Sequence, residues 1–376
     1  MSEFAAGPAG RIERVRALMA ERGYDAIVVR DEANLRWLTG VKGVFDYTFE
    51  FPHAAFITAD QCLFHTDSRY LNSFEENTSA GSPWVYDMDE GTIPGWVAGK
   101  IAANKCRVCA VEDDMQINFY QGIQRGLEDR SVACMLPLMH DDIRKMRAIK
   151  DAEEIELMRH AQSITDAAFQ HMLGYIKPGM TEKQVRNELE NFMFANGADS
   201  LAFGSIVASG PNTANPHAVP SDRVIEKGDF VLMDYGAGYC DYRSDMTRTV
   251  VMGEPTQEQL DLYALVRRAH EECVAAIHPG VEGNDIFKLS KKIIGDAGYG
   301  DYYNHGLGHG VGIDIHELPN FNRNKNIIEV GSVITMEPGV YLPGVGGVRL
   351  EDYGVVTENG YEPFTKTPHD LHVIDC

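Results

Sequence analysis

Apolar and polar positions alternate along the first part of the chain in a way that predicts short helices and strands. An apolar face repeats at helical spacing from Arg11 to Glu21, and the uninterrupted apolar run Ala26–Val29 has the length of a buried strand. Ala54–Thr58 and Gln61–His65 predict a hairpin, and Arg107–Val111 predicts a further strand. The first part therefore reads as a small α/β domain.

Capping signals predict two helices at the start of the second part. Asp151, with Glu154 three residues later, marks the N-terminus of a long amphipathic helix that Ile176–Gly179 ends. Thr181 and Gln184 form a capping box for the next helix, which is expected to end at residues 196–197.

An internal repeat organises the second part of the chain. Ile225–Gly236 aligns without gaps onto Ile328–Gly339 at an offset of 103 residues. Upstream, Ile176–Gly179 matches Ile277–Gly280 at an offset of 101, and each precedes a helical pattern. The chain from about residue 150 therefore predicts two helix–helix–sheet copies related by a pseudo-twofold axis.

The length calls for more than one domain, because single hydrophobic cores stop growing near ~250–300 residues. For these 376 residues we predict domains at 1–140 and 141–376, with the charged stretch Asp141–Arg147 at the junction. The net charge of −22, from 34 basic and 56 acidic residues, argues against binding to nucleic acid or to anionic membranes.

The termini and the cysteines predict a cytoplasmic protein. Residues 1–20 lack the apolar core of a signal peptide, and no run approaches the ~18 apolar residues of a membrane span. Seven scattered cysteines suit a reducing compartment. Cys106 and Cys109 have C-x-x-C spacing, but no second pair completes a zinc site, so we interpret them as structural.

Acidic side chains recur at equivalent places in the two copies. The repeat superimposes Asp234 on Glu337, each at the end of an apolar strand where a lone buried carboxylate is costly. Each half then supplies a second acid, Asp245 or Glu351. Carboxylates brought together on one axis would repel by about 1–4 kcal/mol per close pair. Two divalent cations would cancel this repulsion.

A glycine-rich stretch adds histidines to these acids. Residues 305–317 contain three histidines, and glycine occupies every second position from 306 to 312. In extended structure His305 and His309 point the same way, whereas His316 needs a bend to join them. Adding His309 to the carboxylates gives a set of mostly hard oxygen donors, which favours manganese, cobalt or zinc over a thiolate-bound metal.

With these residues the chain resembles the methionine aminopeptidase/prolidase/aminopeptidase P superfamily, and within it the Xaa-Pro peptidase branch. The resemblance implies an α/β (α+β) fold in which a creatinase-like N-terminal domain precedes a pita-bread catalytic domain. The early segment 11–40 is similar to the creatinase-like domain. The blocks that carry the resemblance are residues 305–317, Met233–Gly236, Asp245–Thr249, Met336–Gly339 and Arg349–Asp352.

The resemblance implies hydrolysis of the Xaa-Pro bond with two divalent metal ions, manganese in the first place and cobalt or zinc as alternatives. Asp234 would chelate one metal, and His309 and Glu337 the other. Asp245 and Glu351 would bridge both. The resemblance also implies a homodimer acting on proline-containing peptides.

The same resemblance assigns roles around the metals. Glu337 would take the proton of a water nucleophile and pass it to the leaving nitrogen, and His316 would stabilise the oxyanion. His217 would lie near the leaving group and His305 would orient the substrate. Arg349 would hold a bridging carboxylate in place.

The chain departs from the branch at two positions. Asp241 stands where the branch often has glycine, in a turn after the first aspartate. Asn320 stands where prolidases often place an arginine that grips the carboxylate of a dipeptide. Arg323 or Lys325 could supply this charge instead. The sequence therefore leaves a dipeptidase and an aminopeptidase P both open.

Two other functions are alternatives. A creatinase-like or ectoine-hydrolase-like enzyme would cleave a C–N bond of a small molecule on the same fold. A pita-bread binding protein would have no catalytic activity. Such relatives lack metal ligands that this chain retains at all five positions. Metal analysis and an Xaa-Pro assay distinguish these alternatives.

Overall fold

A computed structural model describes residues 7–42, 52–78, 81–88, 91–321 and 326–376. The chain divides into two compact units, Met1–Arg147 and Ala148–Cys376. The charged stretch at the predicted junction forms the helix Asp142–Arg147, and the units divide directly after it. The boundary predicted at residue 140 precedes this helix.

The first unit is a five-stranded mixed sheet with helices. Its strand order is β4-β3-β2-β1-β5, with β1 antiparallel to β2 and parallel to β5. The described elements are α1 (Gly7–Arg22), β1 (Ala26–Val29), α2 (Glu32–Thr39), β2 (Ala54–Thr58), β3 (Cys62–His65), α3 (Leu71–Asn77), β4 (Trp84–Asp87), α4 (Ile93–Ala103), β5 (Cys109–Val111), α5 (Ile117–Asp129) and α6 (Asp142–Arg147).

The predicted elements of this unit are present, with shifted ends. Helix α1 begins at Gly7, ahead of the predicted start, because Pro8 suits the first turn of a helix although the apolar periodicity begins later. Strand β5 begins two residues after the predicted start at Arg107. The amides of Arg107 and Val108 donate to the Asp25 carboxylate, at 2.7 and 3.0 Å, and not to a neighbouring strand.

The second unit contains the remaining helices and strands. Its described elements are α7 (Ala152–Tyr175), α8 (Glu182–Ala195), β6 (Ser200–Leu201), β7 (Ile206–Ser209), β8 (Phe230–Tyr235), β9 (Ala237–Tyr239), β10 (Tyr242–Arg243), β11 (Met246–Met252), α9 (Gln257–Ala275), α10 (Gly283–Asp296), β12 (His309–Gly310), β13 (Glu317–Asn320), β14 (Val333–Met336), β15 (Gly339–Leu342), β16 (Gly346–Arg349), β17 (Asp352–Thr357), β18 (Gly360–Pro363) and β19 (Val373–Ile374).

Capping boxes start the paired helices, as predicted. Asp151 accepts a hydrogen bond from the amide of Glu154, whose carboxylate accepts one in return from the amide of Asp151. Thr181 and Gln184 do the same for α8. No helix within the described residues is long and apolar enough to cross a membrane.

The sheets of the second unit repeat one arrangement. In the first half β8 pairs with β7 and β11, and in the second half β14 pairs with β12 and β17. A hairpin separates the two long strands of each half: β9–β10 in the first and β15–β16 in the second. Two helices precede each copy, α7–α8 and α9–α10.

An equivalent backbone hydrogen bond and an equivalent glycine conformation occur in the two copies and confirm the repeat. The amide of Gly179 donates to the carbonyl of Ile225 at 2.9 Å, and that of Gly280 donates to the carbonyl of Ile328 at 2.7 Å. Both glycines have positive φ angles, 93° and 88°, which glycine adopts without a side-chain clash. The two alignments found in the sequence therefore belong to one structural unit that occurs twice.

Candidate metal centre

The strand ends bring together the acids predicted from the repeat. Asp234 lies near the end of β8, and Asp245 immediately precedes β11, its antiparallel partner. Glu337 immediately follows β14, and Glu351 immediately precedes its partner β17. Each half therefore presents two carboxylates at the corresponding end of a strand pair.

His309 lies among these acids. Its Nε2 atom is 3.6 Å from Oδ2 of Asp245 and 3.5 Å from Oε1 of Glu337. One ligand atom from each of Asp245, His309 and Glu351 can be chosen so that all lie within 4.8 Å of one another. This spacing allows the three side chains to contact one cation.

The ring of His309 is oriented as a metal ligand requires. Its Nδ1 atom lies 3.1 Å from the carbonyl oxygen of Gly310, so Nδ1 carries the hydrogen and Nε2 presents a lone pair to the acids. Burial in the first place, together with the neighbouring His316, lowers the pKa of His309 to about 3. The imidazole is therefore neutral at physiological pH.

The carboxylates fit a pair of divalent cations. Oδ1 of Asp234 and Oδ1 of Asp245 are buried without a hydrogen-bond partner among the described residues. Burial raises the pKa of Asp245 and of Glu351 well above the usual range, and the neighbouring acids of the cluster add to both shifts. Such a set stays ionised only beside positive charge, which two cations would supply.

Arg349 reaches one carboxylate directly and another through a hydroxyl group. Its Nη2 atom donates to Oδ2 of Asp234 at 2.5 Å, and its Nε atom donates to the hydroxyl of Thr247 at 3.0 Å. The Thr247 hydroxyl in turn donates to Oε2 of Glu351 at 2.7 Å. Arg349 thus holds Asp234 directly and Glu351 through Thr247, and its predicted support of a bridging carboxylate stays a prediction.

Sequence reasoning missed Thr247 and Tyr341. Thr247 is two residues after Asp245 and so faces the same side of the strand, a signal that was present in the pattern. The Tyr341 hydroxyl accepts from Arg349 at 2.9 Å and lies 2.8 Å from Nε2 of His305. Nothing in the sequence around Tyr341 indicated this role, which depends on the pairing of β15 with β16.

The alternating glycines allow other backbone segments to approach the histidine stretch. A Cβ atom on Gly308 would overlap the carbonyl of Thr335, and one on Gly310 would overlap the carbonyl of Leu318. Bends follow Gly310, and the exposed His316 ring returns to lie edge-on to His309 with centroids 4.4 Å apart. The expectation that His316 needs a bend to approach the other histidines is confirmed.

A buried ion pair fixes the far end of this bend. Nζ of Lys150 lies 3.0 Å from Oε2 of Glu317, and the two side chains are 1% and 5% exposed. Oε1 of Glu317 also accepts from the amide of Asp314 at 3.0 Å. The residue that follows His316 is therefore anchored to the chain just before α7.

A cavity of about 260 Å³ opens beside the acids. His305 and His309 both line it, as their shared direction predicted, and His217 lies at its wall as an exposed side chain. His316 is not among its lining residues. The lining residues are Pro216, His217, Asp234, His305, Gly306, Gly308, His309, Asn320, Phe321, Glu337 and Arg349.

The two residues that depart from the family pattern, Asp241 and Asn320, lie in a turn and at the cavity wall. Cys240 and Asp241 form the two-residue turn between β9 and β10, with positive φ angles of 46° and 71°. Asn320 lines the cavity opposite His309 in the β12–β13 pairing. Arg323 and Lys325, the alternative cations, lie outside the described residues.

The acids predict how the stability of the metal-free protein depends on pH. Burial raises the pKa of Glu337 from 4.5 to about 8, with Arg349 opposing the shift and Asp234 adding to it. Between about pH 4.5 and pH 8, the Glu337 carboxyl of the folded protein keeps a proton that the unfolded chain has released. The contribution of this proton to the free energy of unfolding is therefore complete below about pH 4.5 and is lost as the pH rises to about 8.

We therefore expect the Tm of the metal-free wild type to fall relative to that of Glu337→Gln as the pH rises from about 5 to about 8. Calorimetry in the presence of a chelator measures this difference. Added Mn²⁺ should remove it, because the ionised carboxylate then gains a partner. A difference in Tm that stays constant with pH would contradict the shifted pKa.

Comparison with known proteins agrees with this geometry. Residues 156–358 match the family model described as metallopeptidase family M24, and residues 11–149 match the creatinase/prolidase N-terminal domain. An Xaa-Pro dipeptidase of Pyrococcus horikoshii is 42% identical over 362 residues, which cover 96% of this chain and 98% of that protein.

Solved structures agree over the whole length. An Xaa-Pro dipeptidase from Bacillus anthracis is 36% identical with a TM-score of 0.89, covering 98% of this chain and 100% of that one. An X-Pro aminopeptidase from Thermotoga maritima is 31% identical with a TM-score of 0.85, covering 97% of this chain and 100% of that one. The chain belongs to metallopeptidase family M24, and it carries the creatinase/prolidase N-terminal domain.

Proposed function

We propose that this protein hydrolyses the peptide bond between an N-terminal residue and proline, using two divalent metal ions. The observation that carries the proposal is the convergence of four buried or half-buried carboxylates and His309 beside one cavity. The Xaa-Pro dipeptidase and X-Pro aminopeptidase found among its relatives support the choice of substrate.

The residues divide between the two cations as follows. Asp234 would hold one cation, His309 and Glu337 would hold the other, and Asp245 and Glu351 would be shared between them. When bound, the pair supplies an electrophile for the scissile carbonyl and lowers the pKa of the attacking water. Arg349 keeps Asp234 in position through their 2.5 Å ion pair.

Protein side chains handle the proton and the developing charge. Glu337 accepts the proton of the nucleophile and delivers it to the proline nitrogen from its position at the wall of the cavity. His316 donates to the oxyanion from its position beside His309. His217 lies near the leaving group at the wall of the cavity, and His305 orients the substrate from the same wall.

Xaa-Pro bonds suit such a site because proline lacks an amide hydrogen. Peptidases that bind this hydrogen, or that need a flexible backbone there, fail on proline. The cavity of about 260 Å³ leaves room for a pyrrolidine ring beside the acids. The creatinase-like and the non-catalytic alternatives lack an observation in their favour, since all five candidate ligands are retained.

Three finer points belong to the same proposal. The metal is manganese, because carboxylate oxygens dominate the donor set. The protein acts in the cytoplasm, which the seven free cysteines support. It acts as a homodimer, as the resemblance to the Xaa-Pro branch implies.

The variant Asp245→Asn tests the metal mechanism. It keeps the shape of the side chain but removes one bridging charge, so we expect loss of both bound metal and activity with the fold retained. The measurement is mass spectrometry of products from a mixed Xaa-Pro peptide library with added Mn²⁺, Co²⁺ or Zn²⁺. The exposed Asp222→Asn, outside the cavity, is the matched control. Full activity in Asp245→Asn would refute the dinuclear mechanism.

Two histidine variants separate metal binding from oxyanion stabilisation. His309→Ala should deplete one metal ion, because its Nε2 faces Asp245 and Glu337. His316→Ala should keep both ions but lower turnover by ~10²–10³, the effect of losing one oxyanion donor. Metal content by elemental analysis, measured alongside kcat, checks both. Equal metal stoichiometry in the two variants would show that these roles are wrongly assigned.

Asn320 bears on the length of the preferred peptide. Among the described residues that line the cavity, the only lysine or arginine is Arg349. Its guanidinium group is already bound to Asp234, Tyr341 and the carbonyl of Pro216. A dipeptide carboxylate close to the metals therefore lacks a described cation, whereas a tripeptide places its carboxylate one residue further out.

We expect Xaa-Pro-Yaa tripeptides to be cleaved with higher kcat/KM than the matching Xaa-Pro dipeptides. Asn320→Arg should shift this preference towards dipeptides by about tenfold, because a charge-assisted contact is worth at least ~1.4 kcal/mol. Asn320→Gln is the control that lengthens the side chain without adding charge. Strong cleavage of dipeptides alone by the wild type would contradict this expectation and place the cation elsewhere.

A further inference from the structure

A second group of potential metal ligands lies in the second unit outside the candidate dinuclear centre. It combines His270 on α9, Asp352 at the start of β17 and His369 in the segment after β18. Nε2 of His369 is 2.6 Å from Oδ2 of Asp352, and Nε2 of His270 is 3.6 Å from the same oxygen. None of the three residues lines the cavity described above.

His270 is unusual within this group because it is completely buried, at 0% exposure, without a hydrogen bond to its ring. Neither Nδ1 nor Nε2 has a hydrogen-bond partner among the described residues. A buried polar ring of this kind indicates a missing partner.

The other two side chains are oriented towards the same point. Arg248 donates to Oδ1 of Asp352 at 2.8 Å, which leaves Oδ2 facing the histidines. On the far side of His369, Nδ1 lies 3.8 Å from Oε1 of Glu271. This separation is longer than a hydrogen bond, so Glu271 places negative charge near the ring without fixing its orientation.

We propose that His270, Asp352 and His369 form a third metal site, which binds one Zn²⁺ through two imidazole nitrogens and one carboxylate oxygen. Two nitrogen donors with one oxygen donor suit zinc, which is commonly tetrahedral and takes water as a fourth ligand. This site is independent of the proposed dinuclear centre, because it shares no ligand with it.

Only a small rearrangement is needed to accommodate the ion. Zinc–ligand distances of ~2.0–2.2 Å place the ligands of a tetrahedral site ~3.3–3.6 Å apart. His270 and Asp352 already have this separation, at 3.6 Å. His369 must move away from Asp352 by less than ~1 Å. Its side chain is 26% exposed, which gives it room to move and gives the ion a path from solvent.

The bound ion would connect three elements distant in sequence. Helix α9, strand β17 and the C-terminal segment each supply one ligand. A cation that binds the folded chain more tightly than the unfolded chain raises the Tm. The site is therefore structural, and its loss should leave the cleavage of Xaa-Pro peptides largely unchanged.

Counting bound zinc tests this site. Full-length protein is stripped with a chelator, dialysed against Zn²⁺ and analysed by elemental mass spectrometry, with three ions per chain expected for the wild type. His369→Ala should bind one ion fewer and gain less in Tm from Zn²⁺. His372→Ala removes a histidine from the same segment but outside the cluster, and should still bind three.

A spectroscopic measurement distinguishes loss of the third metal site from misfolding of a variant. Asp245→Asn should retain the third site, so Co²⁺ bound to it should give the intense visible bands of a four-coordinate ion. These bands should disappear in the double variant Asp245→Asn/His369→Ala. An equal zinc count in wild type and His369→Ala would overturn the proposal. Cobalt bands that survive the double variant would overturn it too.

Discussion

The repulsion among buried carboxylates is the constraint on which the second unit depends. Asp234, Asp245, Glu337 and Glu351 lie at or directly beside the ends of strands whose residues are almost entirely buried. The same burial that completes the core raises the pKa of three of these acids. A fold that gathers so much negative potential in one place requires compensating positive charge, and Arg349 supplies only one unit of it.

The surrounding structure orients this charge. Thr247 and Arg349 link a carboxylate of the first half to one of the second, so the two halves are connected by hydrogen bonds as well as by packing. Tyr341 extends the same network to His305 at the cavity wall. Side chains that bind charge and side chains that face the substrate therefore belong to one hydrogen-bonded system.

Much of this arrangement could be predicted from the sequence, because it follows from an internal repeat and from the alternation of residues along a strand. The repeat placed Asp234 and Glu337 in equivalent positions, and alternation along a strand predicted that His305 and His309 share a direction. Capping residues gave the starts of α7 and α8. Each of these features is visible either in a short stretch of sequence or in the comparison of two segments, so none of them requires knowledge of the fold.

What could not be predicted depends on contacts between segments distant in sequence. The direct contact of Arg349 with Asp234 was not predicted, because Asp234 lies 115 residues away and reaches it only when the sheets pack. The shortened start of β5 depends on Asp25, 82 residues before Arg107. His270, Asp352 and His369 showed no common motif, since a helix, a strand and an irregular segment supply them.

The register of the sheets shows where the two copies differ. Gly310 pairs with Ile334, and the equivalent strands of the first half pair Ser209 with Val231, so the position of His309 corresponds to Ala208. The imidazole of His309 therefore comes from one copy only, and the first half has the methyl group of Ala208 at the equivalent position. The two halves thus offer different donor atoms to the proposed metal centre, although each contributes two carboxylates.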